Sequence, residues 1–130
     1  DKLRTVYEEI FKSKEIWAMF SVTRFLKVFT EEDNHHFFRI LIRHNGKIRD
    51  IVENTKNAKE FMQATYRTGI SETRFLPKDA AAEADILAYD SKLALVSFEN
   101  VSCIIIEDKA IAETIKTALR LIWDSAELSI

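Results

Sequence analysis

The segment 84–126, ADILAYDSKLALVSFENVSCIIIEDKAIAETIKTALRLIWDSA, constrains the fold of this chain more than any other part of the sequence. Three apolar runs, at 85–89, 93–98 and 102–107, are separated by connections of hairpin length, Asp90-Ser91 and Glu99-Asn100. This spacing predicts an antiparallel meander of three strands. Apolar residues at helical spacing follow the meander and predict a closing helix over 109–125.

The part of the chain before this segment predicts helices and strands in alternation. Apolar residues three and four apart predict helices at the N-terminus, up to Val28, over 31–45 and after Thr55. Strands are predicted over 15–21, 47–53 and 72–76. Strands separated by helices pair in parallel through right-handed crossovers. The sequence therefore predicts an α/β fold, with a mixed sheet of about six strands flanked by helices.

The composition is that of one folded domain. The 130 residues are 47% hydrophobic and include two glycines and one proline, which predicts a single core without long linkers. Nineteen basic residues against 21 acidic ones give a net charge of −2, so nothing indicates that this segment binds nucleic acid by itself. The single cysteine, Cys103, excludes an internal disulfide and is predicted to be buried in a strand. No apolar run reaches the roughly 20 residues of a membrane span and no signal peptide is recognised, which favours a cytoplasmic protein.

Polar side chains follow the first two predicted strands, at the point where each strand ends. Ser21, Thr23 and Arg24 come after the first strand, and Asn54 and Thr55 come after the second. Ligands of open α/β sheets collect beyond the carboxyl ends of parallel strands, where helix N-termini offer amide donors to anions. Two interpretations follow, ordinary helix capping or a ligand-binding site. The chain has no glycine-rich phosphate loop and no G-x-S-x-G motif, so neither a nucleotide nor a serine hydrolase is indicated.

The three histidines do not predict a metal site. His36 and His44 lie about two helical turns apart, and no cysteine or carboxylate completes a known ligand spacing. His35 and His36 are interpreted as a solvated helix start, and His44 as a partly buried residue near the helix end. Neither a metal nor a cofactor is predicted.

Asp50 is unusual because it lies in the middle of a predicted strand, on the same parity as Ile48 and Val52. A buried carboxylate is costly unless it is paired. The preferred interpretation is therefore a strand near the sheet edge, with Asp50 facing solvent or paired to Arg39 or Arg43. The alternative places Asp50 in a polar pocket.

The closing helix is expected to bury one face on the sheet. Its predicted core face contains Ile111, Ile115, Ala118, Leu119, Ile122 and Ala126, with Lys116 on the opposite side. Leu121 and Trp123 flank this face. They are interpreted either as the margins of a wide buried face or as part of a subunit interface, where aromatic residues are enriched.

The order of elements, the block YDSKLALVSFEN and the ending IIIEDKAIAETIKTALRLIWDSA resemble the C-terminal domain of TrmB-like transcriptional regulators. That domain is similar in fold to one half of a phospholipase D-type enzyme. The resemblance extends from about residue 6 to residue 126. It implies that residues 1–14 are the end of a linker helix and that residues 15–130 form a single α/β regulatory domain.

The resemblance also implies that the domain is not an enzyme. Phospholipase D-like enzymes use the motif His-x-Lys followed by an aspartate. On this chain Asp90 stands at the histidine position, Lys92 matches the lysine, and Ser97 stands where the aspartate would fall, with Asn100 echoing a trailing asparagine. Without the histidine, Lys92 cannot form the covalent intermediate that such enzymes use.

The expected function is an effector-sensing or dimerisation domain of a TrmB-like transcriptional regulator. The expected partners are a second copy of the chain, a small-molecule effector and DNA, the last bound only through an N-terminal winged-helix domain that this chain lacks. No membrane partner is expected. The candidate ligand-binding residues are Ser21, Thr23, Arg24, Asn54, Thr55, Asp90 and Lys92. The alternative is a small phospholipase D-like or otherwise unrecognised hydrolase.

Overall fold

The computed structural model of the chain describes residues 2–126 and 128–129. Its helices are α1 (Lys2–Ile10), α2 (Val22–Val28), α3 (Glu31–Arg43), α4 (Lys56–Ala64) and α5 (Lys109–Ser125). Its strands are β1 (Glu15–Phe20), β2 (Lys47–Val52), β3 (Ser71–Phe75), β4 (Asp85–Tyr89), β5 (Lys92–Ser97), β6 (Ser102–Glu107) and β7 (Leu128–Ser129). Among the described residues, no helix combines the length and the apolar character that crossing a membrane requires.

The strands form one mixed sheet in the order β6-β5-β4-β1-β2-β3-β7. The strands β1, β2 and β3 are parallel and are connected through helices. The strand β4 runs antiparallel beside β1 and continues into the antiparallel meander of β5 and β6. The predicted α/β class and the mixed sheet of about six strands are confirmed, and the two-residue β7 beside β3 is an addition. Likeness to one half of a phospholipase D-type fold stays a prediction.

Each face of the sheet packs against helices. Helices α1 to α4 cover one face, where the core includes Tyr7, Phe25 and Phe37. Helix α5 covers the other face, where Trp17 and Trp123 meet edge to face with ring centroids 5.8 Å apart. Two buried layers therefore enclose β1, β2 and β4 on both sides, and polar groups on these strands are withdrawn from water.

Helix α1 contributes to the core of this domain. Its residues Leu3, Tyr7 and Ile10 are all buried, and they join the same apolar cluster as α2 and α3. Whatever precedes it, α1 is part of the packed structure. Its origin as the end of a linker helix stays a prediction.

The two residues of the turn after α3 have different roles. Asn45 takes the left-handed conformation, with φ of 57°. Gly46 is required because of its neighbours. A Cβ added to it would lie 2.3 Å from the carbonyl oxygen of Ser13 and 2.4 Å from Cδ1 of Leu41. The close approach of two backbone segments therefore explains this glycine.

The buried face of α5 differs from the predicted one. Ala112, Lys116, Leu119 and Trp123 are buried, whereas Ile111 is 41% exposed. The Nζ of Lys116 reaches the carbonyl oxygen of Asp90 at 2.6 Å, so its stem can be buried while its charged end is bonded. Placing Lys116 on the outer face was therefore wrong. Trp123 packs on Trp17, which agrees with the wide buried face, one of the two interpretations left open, and not with a free interface residue.

The strand β6 is less covered than its sequence predicts. Ile104 is 59% exposed and Ile105 is 51% exposed, and Cys103 is half-buried, not buried as expected. The reason is its position, because β6 is the outermost strand beside β5. Helix α5 lies over β5, β4 and β1. Apolar composition alone could not distinguish this edge strand from a central one.

Candidate functional site

Four of the predicted ligand-binding residues meet at one end of the sheet. Ser21, Thr23, Arg24 and Thr55 line a shallow groove of about 320 Å³ beyond the ends of β1 and β2. Its other walls carry Lys27 and the loop after Pro77. The prediction that side chains following β1 and β2 come together agrees with the parallel pairing of these strands.

The anion position in this groove is occupied by the chain itself. The carboxylate of Glu53 accepts hydrogen bonds from the amides of Val22 and Thr23, at 2.9 and 3.2 Å. It also accepts from the hydroxyls of Ser21 and Thr23, at 3.1 and 3.2 Å. A carboxylate at a helix N-terminus satisfies the free amides that an external anion would otherwise bind. Ser21 and Thr23 therefore have a structural partner.

The other residues of this group also have local roles. Thr55 caps α4 by accepting from the amide of Ala58 at 3.1 Å. Arg24 contacts Glu83 at 3.2 Å and Glu99 at 3.8 Å, both of which are exposed carboxylates. Asn54 lies half-buried between β2 and α4. Capping, the alternative that was left open, accounts for Ser21 and Thr55.

Asp90 and Lys92 lie at the opposite end of the sheet. The amide of Asp90 donates to the carbonyl of Glu15, the first residue of β1, at 3.3 Å. The six residues of β1 separate this turn from Ser21 by roughly 20 Å. The predicted ligand-binding residues therefore form two separate groups and not one site.

The turn at Asp90 is held by hydrogen bonds of its own. Asp90 is in the left-handed conformation, with φ of 51°, and its carboxylate accepts from the amide of Lys14 at 3.3 Å. At the next turn the amide of Asn100 donates to the hydroxyl of Ser97 at 3.3 Å. The positions that correspond to a catalytic histidine and aspartate thus hold turn residues.

A second cavity lies in the interior, between the sheet and helices α1 to α4. Its volume is about 30 Å³, and seven aromatic side chains line it. Its polar lining includes Asn34, Asp50, Ser71, Thr73 and Asp85. Asp50 and Asp85 are 3% and 1% exposed. Two buried carboxylates thus share one small space.

These carboxylates have few hydrogen-bond donors. The hydroxyl of Tyr7 donates to one oxygen of Asp85, and the other oxygen, Oδ1, is buried without a hydrogen-bond partner among the described residues. No residue in the described part of the chain donates a hydrogen bond to the carboxylate of Asp50. Buried polar groups are normally hydrogen-bonded. The carboxylates of this cavity therefore lack donors that buried acceptors usually have.

Burial controls the acidity of both groups. It raises the pKa of Asp50 to about 8, and the nearby charge of Asp85 adds to the rise. Burial likewise raises the pKa of Asp85 to about 7. The hydrogen bond from Tyr7 and the nearby backbone of Ser21 lower it in part. The same burial, with Asp85 beside it, raises the pKa of Tyr7 well above its usual range. Both carboxyl groups therefore exchange protons close to neutral pH.

The register of the strands explains why the cavity exists. On the sheet face below the helices, Asp50 lies between Ala18 of β1 and Thr73 of β3. Ala18 has a single methyl group there, and Leu87 lies on its far side. The small side chain leaves space that larger residues would fill.

Sequence reasoning missed this site in part. The preferred solvent-facing interpretation of Asp50 was wrong because β2 lies between β1 and β3, inside the sheet. The alternative, a polar pocket, is the arrangement observed. A detectable signal was the polar series Ser71 and Thr73, which shares parity with Phe75 on a short strand.

Comparisons with known proteins place the fold of this chain. No protein-family model matches it, and no curated protein matches it either. The chain is similar in structure to TrmBL2, described as an archaeal chromatin protein that shows a novel mode of DNA binding, with a TM-score of 0.64 and 19% sequence identity. The likeness covers 97% of this chain and 48% of TrmBL2, so the chain spans about half the length of that protein. The two share an α/β fold.

Proposed function

We propose that this chain is a non-catalytic regulatory domain of a TrmB-like transcriptional regulator, cytoplasmic, and that it assembles the regulator as a homodimer. The observation that carries the proposal is the structural likeness to TrmBL2 over 97% of the chain. The motif-level resemblance in segment 84–126 supports it independently. Contact with DNA belongs to another part of the regulator, in keeping with a net charge of −2 here.

The absence of catalysis is supported by the groups at the turn after β4. Asp90, at the position of the nucleophilic histidine, is exposed and bonded to the backbone of Lys14. Lys92 is half-buried, and the turn beside it has no histidine, the nucleophile with which phospholipase D-like enzymes form their phospho-enzyme. Incubation with a simple phosphodiester such as bis-nitrophenyl phosphate should give no turnover. Turnover that disappears in Lys92→Ala would favour the alternative, a phospholipase D-like hydrolase.

The dimer surface we propose is the free edge of β6. In the described part of the sheet no strand pairs with its outer side. Exposed edge strands in monomers usually carry lysine, proline or a bulge, which block pairing. The sequence Ser-Cys-Ile-Ile-Ile-Glu of β6 has none of the blocking residue types, and Val101 beside it is 66% exposed. Leu121, 65% exposed on α5, remains a second proposed interface residue.

A second copy fits this edge without a charge conflict. If two β6 strands pair antiparallel about a two-fold axis at Ile104, this residue faces its own copy across the axis. Glu107 of each copy then lies opposite Val101 of the other, so no like charges are opposed. Such pairing joins two sheets into one and covers the exposed isoleucines on both faces.

Sedimentation over a wide concentration range tests this assembly. We expect a dimer for the native chain and a monomer for Ile104→Lys, because a charge at the centre of the pairing cannot be buried without a partner. The matched control is Ile42→Lys on α3, where the isoleucine is also exposed, at 45%. This variant should remain dimeric.

Three outcomes would count against the proposed function. A native chain that stays monomeric at high concentration would exclude this domain as the source of the dimer. Equal dissociation by Ile104→Lys and Ile42→Lys would exclude the β6 edge as its surface. DNA binding by this chain alone, measured by mobility shift at moderate salt, would contradict the placement of DNA contacts elsewhere.

A further inference from the structure

We propose that the buried cavity between the sheet and helices α1 to α4 binds a small primary ammonium ion, held by Asp50 and Asp85. This assignment gives a chemical class to the effector of the proposed regulator, and only its regulatory meaning rests on that proposed function. The binding itself follows from the cavity.

The cavity offers acceptors and lacks a cation. Both carboxylates are more than nine-tenths buried, and Oδ1 of Asp85 has no hydrogen-bond partner among the described residues. The titratable groups that line the cavity in the described structure are Asp50, Asp85, Tyr7 and Tyr66, with no lysine, arginine or histidine. A ligand that supplies N–H donors and positive charge would satisfy both needs at once.

The walls favour an organic cation over a metal ion. Seven aromatic side chains surround the carboxylates, and aromatic faces attract ammonium groups as well as alkyl groups. Among the described residues, no group of three or more histidine, cysteine, aspartate or glutamate side chains is arranged to hold a metal.

The size of the cavity limits the ligand. A single water needs about 10–15 Å³ of this kind of volume, so 30 Å³ holds about two water-sized groups. Methylammonium, with one carbon and one nitrogen, matches this space. Phe20 and Tyr66 are the half-buried aromatic members of the lining and mark the side that faces solvent. A longer alkyl chain would have to leave past them.

Binding of a cation should release protons. At neutral pH, without a bound cation, the carboxyl groups retain protons because burial raises the pKa of both. The charge of Asp85 adds to the rise at Asp50, and Glu53 adds repulsion at Asp85. A bound ammonium ion stabilises the ionised carboxylates, so its affinity should increase as pH rises through 7 and 8. Tyr7 remains protonated in this range, because burial and the neighbouring Asp85 raise its pKa well above its usual range.

Nuclear magnetic resonance with methylammonium chloride tests the site on the 130-residue chain. We expect saturable shifts in the amides of Ala18 and Thr73 and in the carboxyl carbon of Asp50, with affinity about tenfold higher at pH 8.5 than at pH 6. Sodium chloride and tetramethylammonium chloride at equal ionic strength should not reproduce them, since the first lacks N–H donors and the second is too large.

Three variants distinguish binding in the cavity from nonspecific effects of the added salt. Asp50→Asn removes one charge with little change of shape, and Ala18→Val fills the cavity without changing any charge. Each should abolish the shifts, and if one does not fold the other still decides. Glu60→Gln, a change at an exposed carboxylate on α4, is the control and should leave binding unchanged.

The outcomes are distinct from those of the proposed function. Absence of saturable shifts at about 100 mM methylammonium, or equal shifts with sodium, would overturn the ammonium site. Sedimentation of the same samples reports the dimer independently. If methylammonium binds and the assembly does not respond, the site stands and its regulatory role is excluded.

Discussion

Asp50 lies within β2 and Glu53 directly follows that strand, and their carboxylates have opposite surroundings. Glu53 accepts four hydrogen bonds from the first residues of α2 and the residue before it. Asp50 accepts none from the described residues, although both groups are almost fully buried, at 5% and 3% exposure. Burial alone therefore does not assign a role to a carboxylate. A group with its donors supplied stabilises the fold, whereas one without them is available to a ligand.

Asp50→Asn should produce the largest effect, and its size should depend on pH. The folded-state pKa of about 8 lies above the unfolded value near 3.8, so the native protein loses stability as pH rises between these values. The pKa is about four higher in the folded protein, and a difference of one in pKa corresponds to roughly 1.4 kcal/mol. The free energy of unfolding should therefore fall by up to about 6 kcal/mol. The variant should lack this loss. Urea unfolding at pH 4 and pH 9 measures it, and parallel curves for the two proteins would contradict the buried, unpaired state of Asp50.

Glu53→Gln, in contrast to Asp50→Asn, should lower the free energy of unfolding. The amide presents a donor to α2 where the carboxylate presented an acceptor, so either the bond at Oε1 or the three bonds at Oε2 are lost. Because hydrogen bonds to charged groups contribute more than neutral ones, we expect a loss of about 3 kcal/mol at pH 7. Urea unfolding checks this value, and Glu60→Gln on the exposed side of α4 should change stability by less than about 0.5 kcal/mol. Equal losses of stability for Glu53→Gln and Glu60→Gln would contradict the structural role of the Glu53 carboxylate.

Tyr7→Phe removes the hydroxyl that donates to Asp85 and so tests how one donor changes a buried carboxyl group. The hydroxyl of Tyr7 donates to Asp85 and lowers the pKa of its carboxyl, so the variant should raise that pKa above about 7. Stability should fall by about 1–2 kcal/mol, since one buried acceptor loses its donor. Carbon-detected titration of the Asp85 carboxyl measures the pKa. A lower pKa in the variant would show that the hydroxyl does not stabilise the ionised form.

Asp90→Gly should have the smallest effect. The residue has φ of 51°, which glycine adopts without strain, and it gives up only the 3.3 Å contact to the amide of Lys14. We expect a change of about 1 kcal/mol or less in thermal unfolding. A loss of several kcal/mol would show that the turn is part of a larger network.

Periodicity and turn chemistry predicted most of the fold. The elements α1 to α5 and β1 to β6 were predicted near their observed positions, because their apolar spacing and caps are local properties. The position of each element in the sheet was less accessible. Strand β6 has the composition of a buried strand, yet it lies at an edge where Ile104 is 59% exposed. Only the order of the strands decides this, because pairing partners lie far apart in the chain.

The candidate site was predicted in part for the same reason. Ser21, Thr23 and Thr55 follow β1 and β2 and were expected to meet, since parallel strands end at a common edge. The partner that occupies their amides, Glu53, could not be assigned from spacing alone. Asp90 and Lys92 were grouped with them, but the antiparallel course of β4 places them at the other end of the sheet.

The sequence by itself determined the α/β class, the parallel first half, the antiparallel meander and the closing helix, because hydrophobic period and turn residues act over short distances. It also placed an aspartate at position 50, in the middle of a strand. The tertiary structure alone decided that this aspartate shares a cavity with Asp85, 35 residues later in the chain, beside the small Ala18. Burial, pairing and pKa depend on which strands become neighbours, and these contacts form only when the whole sheet is assembled.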